Sequence, residues 1–160
     1  MELRTIKLEV PDGTNIIIGT AHFIKAIEDI YEAVATGVPS PCFGAAFCEA
    51  SGPCLVRVEG TDPELKRCAS ENAAAIGAGH SFVVMIRDAF PINVLNALKS
   101  CQEVCAIHCA TANPVEVIVA ETAAGRAVLG VVDGLSPRGV ETGKDAQNRK
   151  DFLRKIGYKL

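Results

Sequence analysis

Short β-branched runs alternate along this chain with helices that open on proline, a pattern that calls for a sheet covered by helices. Asp62-Pro63-Glu64 offers an N-cap, a proline at the first helical position and an acid in the first turn. Leu65, Cys68, Ala69, Asn72, Ala73 and Ile76 continue one inner face, and Gly77 and Gly79 stop it. A second helix opens at Pro91 and runs to about Lys99. Apolar spacing predicts a third over Phe23–Val34, and a polar terminal helix spans Asp145–Ile156. Between them, Glu2–Val10, Asn15–Gly19, Phe43–Ala50, Leu55–Val58, Ser81–Ile86, Glu103–Cys109, Val115–Glu121 and Ala127–Val132 read as strands. Pro11-Asp12-Gly13 makes residues 2–19 look like a hairpin. Hairpins mixed with crossovers imply a mixed sheet. The expected fold is α+β, one compact domain over residues 1–160 with a mixed β-sheet and about four helices.

Composition narrows the function. The net charge of −3, from 19 acidic and 16 basic residues, leaves no footprint for nucleic acid or an anionic membrane. No apolar run reaches the roughly 20 residues of a membrane span, and Met1-Glu2-Leu3-Arg4 lacks a signal-peptide core. The hydrophobic fraction of 49% exceeds what one small core requires, so a subunit interface is expected. Seven cysteines, an odd number with no Cys-x-x-Cys, point to a reducing, cytoplasmic setting. Cys101, Cys105 and Cys109 fall four apart beside His108, which is not a zinc or redox spacing. They read as small buried hydrophobes, and no metal site is expected from them.

The familiar nucleotide motifs are missing. Gly125 to Gly130 has the P-loop glycine spacing, but Val131 follows where lysine is needed. Gly77-Ala78-Gly79 follows a helix and lacks the third glycine of a dinucleotide fingerprint.

Several longer runs occur together and in order. They include Ala21-His22-Phe23-Ile24-Lys25, Phe43-Gly44-Ala45-Ala46-Phe47-Cys48-Glu49-Ala50-Ser51-Gly52, Ile76-Gly77-Ala78-Gly79-His80 and Phe90-Pro91-Ile92-Asn93. Ala110-Thr111-Ala112-Asn113-Pro114, Val117-Ile118-Val119-Ala120-Glu121-Thr122 and Gly130-Val131-Val132-Asp133-Gly134 follow them, and Phe152-Leu153-Arg154-Lys155-Ile156-Gly157-Tyr158 closes the series. Over nearly its whole length the chain resembles the adenosine-specific kinase family. The resemblance implies a small self-associating protein, a homo-oligomer, that binds adenosine or AMP and holds phosphate on a histidine. Two functions fit: a transferase working through a phosphohistidine, or a non-catalytic adenosine/AMP-binding module whose phosphohistidine is stable. If a nucleoside triphosphate is the donor, Mg2+ is expected with it, although no acidic ligand cluster stands out.

His80 is the first candidate for the phosphate acceptor, because its glycine elbow lets backbone approach a ligand closely. A neutral imidazole nitrogen is a good nucleophile near neutral pH. His22 is the rival: Gly19-Thr20-Ala21-His22 leads into a predicted helix, so free amides and Lys25 would cradle phosphate. Gly79, Glu49, Asn93, Asn113, Glu121 and Asp133 lie at predicted element ends and complete the candidate ligand-binding set with Lys25. Glu49 and Glu121 each close an apolar strand, an expensive place for an idle charge. His80 and the Asn93 helix stand at opposite ends of one strand, about 20 Å apart. One pocket cannot hold both in a single subunit, so a site between subunits is expected.

Overall fold

A computed structural model describes residues 1–160. Its elements are β1 (Glu2–Lys7), β2 (Thr14–Ala21), α1 (Ala26–Gly37), β3 (Cys42–Cys48), β4 (Val56–Gly60) and α2 (Pro63–Ile76). They continue with β5 (Ser81–Arg87), α3 (Pro91–Ser100), β6 (Val104–Thr111), β7 (Val115–Thr122), β8 (Gly125–Asp133) and α4 (Gly143–Lys155). The fold is α+β with four helices, as the sequence predicts.

The strands form two antiparallel sheets, ordered β4-β3-β5-β2-β6 and β1-β7-β8. Each crossover helix does join strands running the same way, but another strand lies between them. β5 sits between β2 and β3, β3 between β4 and β5, and β2 between β5 and β6. Every intervening strand runs opposite to its neighbours, so the hairpin-and-crossover pattern yields antiparallel ladders throughout.

The hairpin expected over residues 2–19 does not form. β1 pairs with β7, and β2 with β5 and β6. Burial explains the split. Ile16 and Ile18 point into one core and Ile17 into the other, so β2 must be central. β1 is exposed almost throughout and suits an edge.

The larger sheet is covered on both faces. On one, Phe43, Phe47, Phe82, Val84 and Ile86 pack under α1 and α3. On the other, Ala46, Val83 and Met85 meet Leu65, Ala69 and Ala73 of α2, with Val115, Val117 and Val119 of the smaller sheet. α2 follows its sequence signals closely. The Asp62 carboxylate accepts from the Leu65 amide at 2.8 Å, and Gly77 ends the helix at φ 60°. β3 and α2 meet so closely at Gly44 that an added Cβ would lie 2.2 Å from the Leu65 carbonyl carbon. α4 buries no residue at all.

Candidate functional site

One end of the larger sheet gathers the C-termini of β2 and β3 with the N-termini of β4, β5 and β6. The N–H of Ala21 donates to the carbonyl of His80 at 2.9 Å, and the His80 N–H donates to the Cys48 carbonyl at 2.7 Å. The β5 entry is thereby clamped between β2 and β3. Held this way, His80 adopts φ 63°, a left-handed conformation uncommon outside glycine. Its ring stacks on Phe47 with centroids 5.9 Å apart and planes 17° from parallel. The imidazole stays 44% exposed, and its Nε2 edge stands 3.9 Å from Glu49 Oε1.

Glu49 follows β3 and organises the loop beyond it. Its Oε1 accepts from the Ala50 amide, the Ser51 amide and the Ser51 hydroxyl at 3.0, 3.2 and 2.9 Å. Its Oε2 pairs with Arg57 Nη2 at 2.8 Å, and Arg57 Nη1 donates to the Ile24 carbonyl at 2.8 Å. The guanidinium therefore ties the Glu49 loop to the segment carrying His22. The Ser51 hydroxyl bond, above all, holds the Glu49 carboxyl below its ordinary 4.5, with the Ala50 amide and Arg57 adding to it against partial desolvation. A lowered folded value means the charged group supports the fold above the ordinary value, and this support is lost as pH falls through the lowered one. Protection of the Ala50 and Ser51 amides from hydrogen exchange, corrected for intrinsic rates, should therefore persist from neutral pH to below 4.5 and be lost only as pH falls through the lowered value. Unchanged protection in stronger acid would contradict this role for Glu49.

Beside Glu49 and Gly79 opens a cavity of ≈ 540 Å³, also lined by Ala50, Val56, Ala74, Gly77 and Arg126. Arg126 donates to the Ala75 carbonyl at 3.1 Å and pairs with Glu121 at 2.9 Å. Glu121 thus borders this cavity through Arg126, and it also pairs with Arg4.

His22 and Lys25 lie at the same end, but differ from expectation. α1 begins at Ala26, three residues later than apolar spacing predicts, because Phe23 turns to φ 89° and both Phe23 and Ile24 face solvent. Some of the amides are taken, while those of Phe23, Ile24 and Lys25 have no partner within the chain. His22 N–H donates to the Glu103 carbonyl, Ala26 N–H to Phe23, and Glu28 and Asp29 N–H to Lys25. The Lys25 ammonium is held by Asp29 and Glu103. Those carboxylates raise its pKa, Asp29 first, so the charge is fixed. The lysine expected to face phosphate beside His22 is therefore engaged with carboxylates.

Asn93, Asn113 and Asp133 stand at the opposite end. Asn93 Oδ1 accepts from the Phe90 amide at 2.9 Å and caps α3, and Asn113 Nδ2 donates to Asp133 Oδ1 at 2.9 Å. These three do not join the His80 group within one chain. His108, expected to be a structural part of an apolar strand, is exposed on the edge strand β6. All seven cysteines are free, and burial pushes Cys68 and Cys109 up to about 11. No three His, Cys, Asp or Glu side chains gather to hold a metal ion. No helix is long and apolar enough to cross a membrane.

Asp29, Arg57 and Glu103 are site residues that sequence reasoning missed. The i, i+4 spacing of Lys25 and Asp29 was a readable signal. Nothing local marks Arg57 or Glu103.

No curated protein matches the chain. A crystal structure of the PH1918 protein from Pyrococcus horikoshii OT3 is similar throughout, with 45% identity and a TM-score of 0.96, covering 99% of this chain and 98% of that one. A family profile described as "Adenosine specific kinase" matches residues 6–159. With that span matched and the His80 end of the sheet formed from its runs, the chain belongs to the adenosine-specific kinase family.

Proposed function

We propose that this protein binds adenosine or AMP in the cavity beside Glu49 and Gly79 and transfers phosphate through His80. The observation that carries the proposal is the His80 ring: clamped by its own backbone, stacked on Phe47, open to solvent and 3.9 Å from Glu49, a residue that lines the cavity. A volume of ≈ 540 Å³ falls in the usual range for small-molecule sites. Family membership supports adenosine as the substrate.

With the ring proton on Nε2 facing Glu49, the Nδ1 lone pair is free to attack. It forms an N–P bond to the γ-phosphorus of a nucleoside triphosphate, while the bond to the β–γ bridging oxygen breaks and the diphosphate leaves. The adenosine 5′-hydroxyl then attacks that phosphorus, loses its proton to solvent and gives AMP, and the imidazole recovers its lone pair. Phe47 orients the ring by stacking, and Arg57 offsets the Glu49 charge against the incoming phosphate. Mg2+ would accompany the triphosphate and shield its oxygens.

Incubating the protein with γ-labelled triphosphate, with and without adenosine, tests this reading. Label should appear on protein and move to AMP when adenosine is added. Label that stays on the protein would instead favour the non-catalytic binding module.

Self-association is part of the proposal. A 13-residue helix with no buried side chain is marginal in water by itself, and Leu135, Val140, Phe152, Ile156 and Tyr158 are all exposed around it. Residues 134–160 hold seven basic and three acidic side chains, net +4; with −3 on the whole chain, residues 1–133 carry −7. A cationic, apolar-studded arm beside an anionic body favours a homo-oligomer. In such an assembly a neighbour could bring the Asn93, Asn113 and Asp133 end to the His80 end, and a monomer that binds adenosine would refute that arrangement. The seven free thiols favour a reducing, cytoplasmic setting.

A further inference from the structure

We infer that Asp29 and Glu103 form a divalent-cation site whose place is held by the Lys25 ammonium. Glu103 precedes β6 and is only 4% exposed, an unusual position for a charged side chain. One of its oxygens, Oε1, meets Lys25, while Oε2 is buried without any hydrogen-bond partner. An orphaned carboxylate oxygen costs about 1–3 kcal/mol or more, so native proteins rarely leave one. Asp29, in the first turn of α1, meets the same ammonium and stands close enough to Glu103 for the two carboxyls to interact directly.

Charge around the pair is unbalanced. A cavity of ≈ 360 Å³ between α1 and α3 is lined by Asp29, Glu32 and Glu103, with Lys25 as its one cation and Ser100 and Gln102 as neutral oxygen donors. Asp29 and Glu103 thus share one ammonium, and Glu32 adds a third negative charge to the cavity wall. Since both Asp29 and Glu103 reach the Lys25 nitrogen, a single ion placed there would reach both. The cavity's one sulfur, Cys101 Sγ, is turned to the Asp29 and Ala97 carbonyls, and the remaining donors are oxygens, which suits Mg2+ or Mn2+ over softer metals. Two carboxylates suffice for Mg2+, which keeps several of its waters, and one such water can satisfy Glu103 Oε2. Lys25 is nearly half exposed on a flexible stem, so it can leave. A second cavity of ≈ 300 Å³, lined by Lys25, Gln102, Glu103, His22 and Phe23, lies beside the first and would receive it.

Titrating the full chain with Mn2+ alone, followed by electron paramagnetic resonance, tests the site without any nucleotide. One ion should bind per chain. Binding should disappear in Glu103→Gln and in Asp29→Asn, with native circular dichroism confirming that each variant folds. Lys25→Met removes the tethered competitor and should bind Mn2+ roughly tenfold more tightly, a gain that misfolding cannot mimic. Manganese should also broaden the amide resonances of Lys25, Asp29 and Gln102. Absence of binding at millimolar Mn2+ in both the native and Lys25→Met proteins would overturn the inference. So would binding that Glu103→Gln and Asp29→Asn leave unchanged. Either failure leaves the phosphotransfer reading intact, because no phosphate is present.

Discussion

His80→Ala protein incubated with γ-labelled triphosphate should carry no label above background, while His22→Ala protein should label as the native chain does. The asymmetry follows from the surroundings of the two rings. His80 is fixed by backbone bonds on both sides of the residue and by stacking on Phe47, so its free nitrogen has a defined direction. His22 has no aromatic platform like Phe47 in line with its ring, and its neighbouring lysine is already claimed by two carboxylates. Phosphate arriving there would meet the carboxylates of Asp29 and Glu103 around the lysine. His80→Asn would sharpen the comparison, because it keeps a polar side chain tolerant of φ 63° while removing the nucleophile. If His80→Ala still labels and His22→Ala does not, the acceptor has been assigned to the wrong ring.

Gly44→Ala should be the most damaging single-methyl change in the fold. The new Cβ would lie 2.2 Å from the Leu65 carbonyl carbon, 2.3 Å from its oxygen and 2.3 Å from the Lys66 nitrogen. These are backbone atoms of α2, so relief requires moving a helix whose inner face packs into the main core. Overpacking of this kind costs roughly 3 kcal/mol or more. In a domain of this size that lowers Tm by roughly 6–12 °C. Gly130→Ala is the control, since an added Cβ there meets nothing within 4 Å. Its effect should stay within about 0.5 kcal/mol. Urea unfolding of the two variants checks both, and equal stabilities would show that β3 and α2 do not meet at Gly44 as described.

Legibility in the sequence followed the range of the forces involved. α2 and α3 were readable to within a residue or two because Asp62, Pro63, Gly77 and Pro91 act within one turn of where they stand. The start of α1 was misplaced because Phe23 and Ile24 have helical spacing but are solvent-facing, and spacing alone does not reveal which side will be covered. The absent β1–β2 hairpin is a similar case. Pro11-Asp12-Gly13 reports a turn, whereas partner choice was decided by burial of β2 on both faces.

At the site, the glycine elbow at Gly77–Gly79 and the apolar run ending in Glu49 were visible as local departures from pattern. Both lie at one end of the larger sheet. The 20 Å argument from strand length also separates Asn93 from His80. Arg57 and Glu103 were not visible. Each acts on a residue brought close only by sheet order, Arg57 on Glu49 and Ile24, Glu103 on Lys25. Long-range pairing of this kind leaves no spacing to read.

The claim on which the rest turns is that the His80 imidazole, beside Glu49, accepts the phosphoryl group. Tandem mass spectrometry of the native chain after exposure to triphosphate, kept at mildly alkaline pH to preserve a phosphoramidate, locates that group directly. The added mass should sit on the peptide containing Gly79-His80-Ser81, with fragments assigning it to His80 and with loss on adding adenosine. Phosphate on His22, on Ser51 or on no residue would contradict the account.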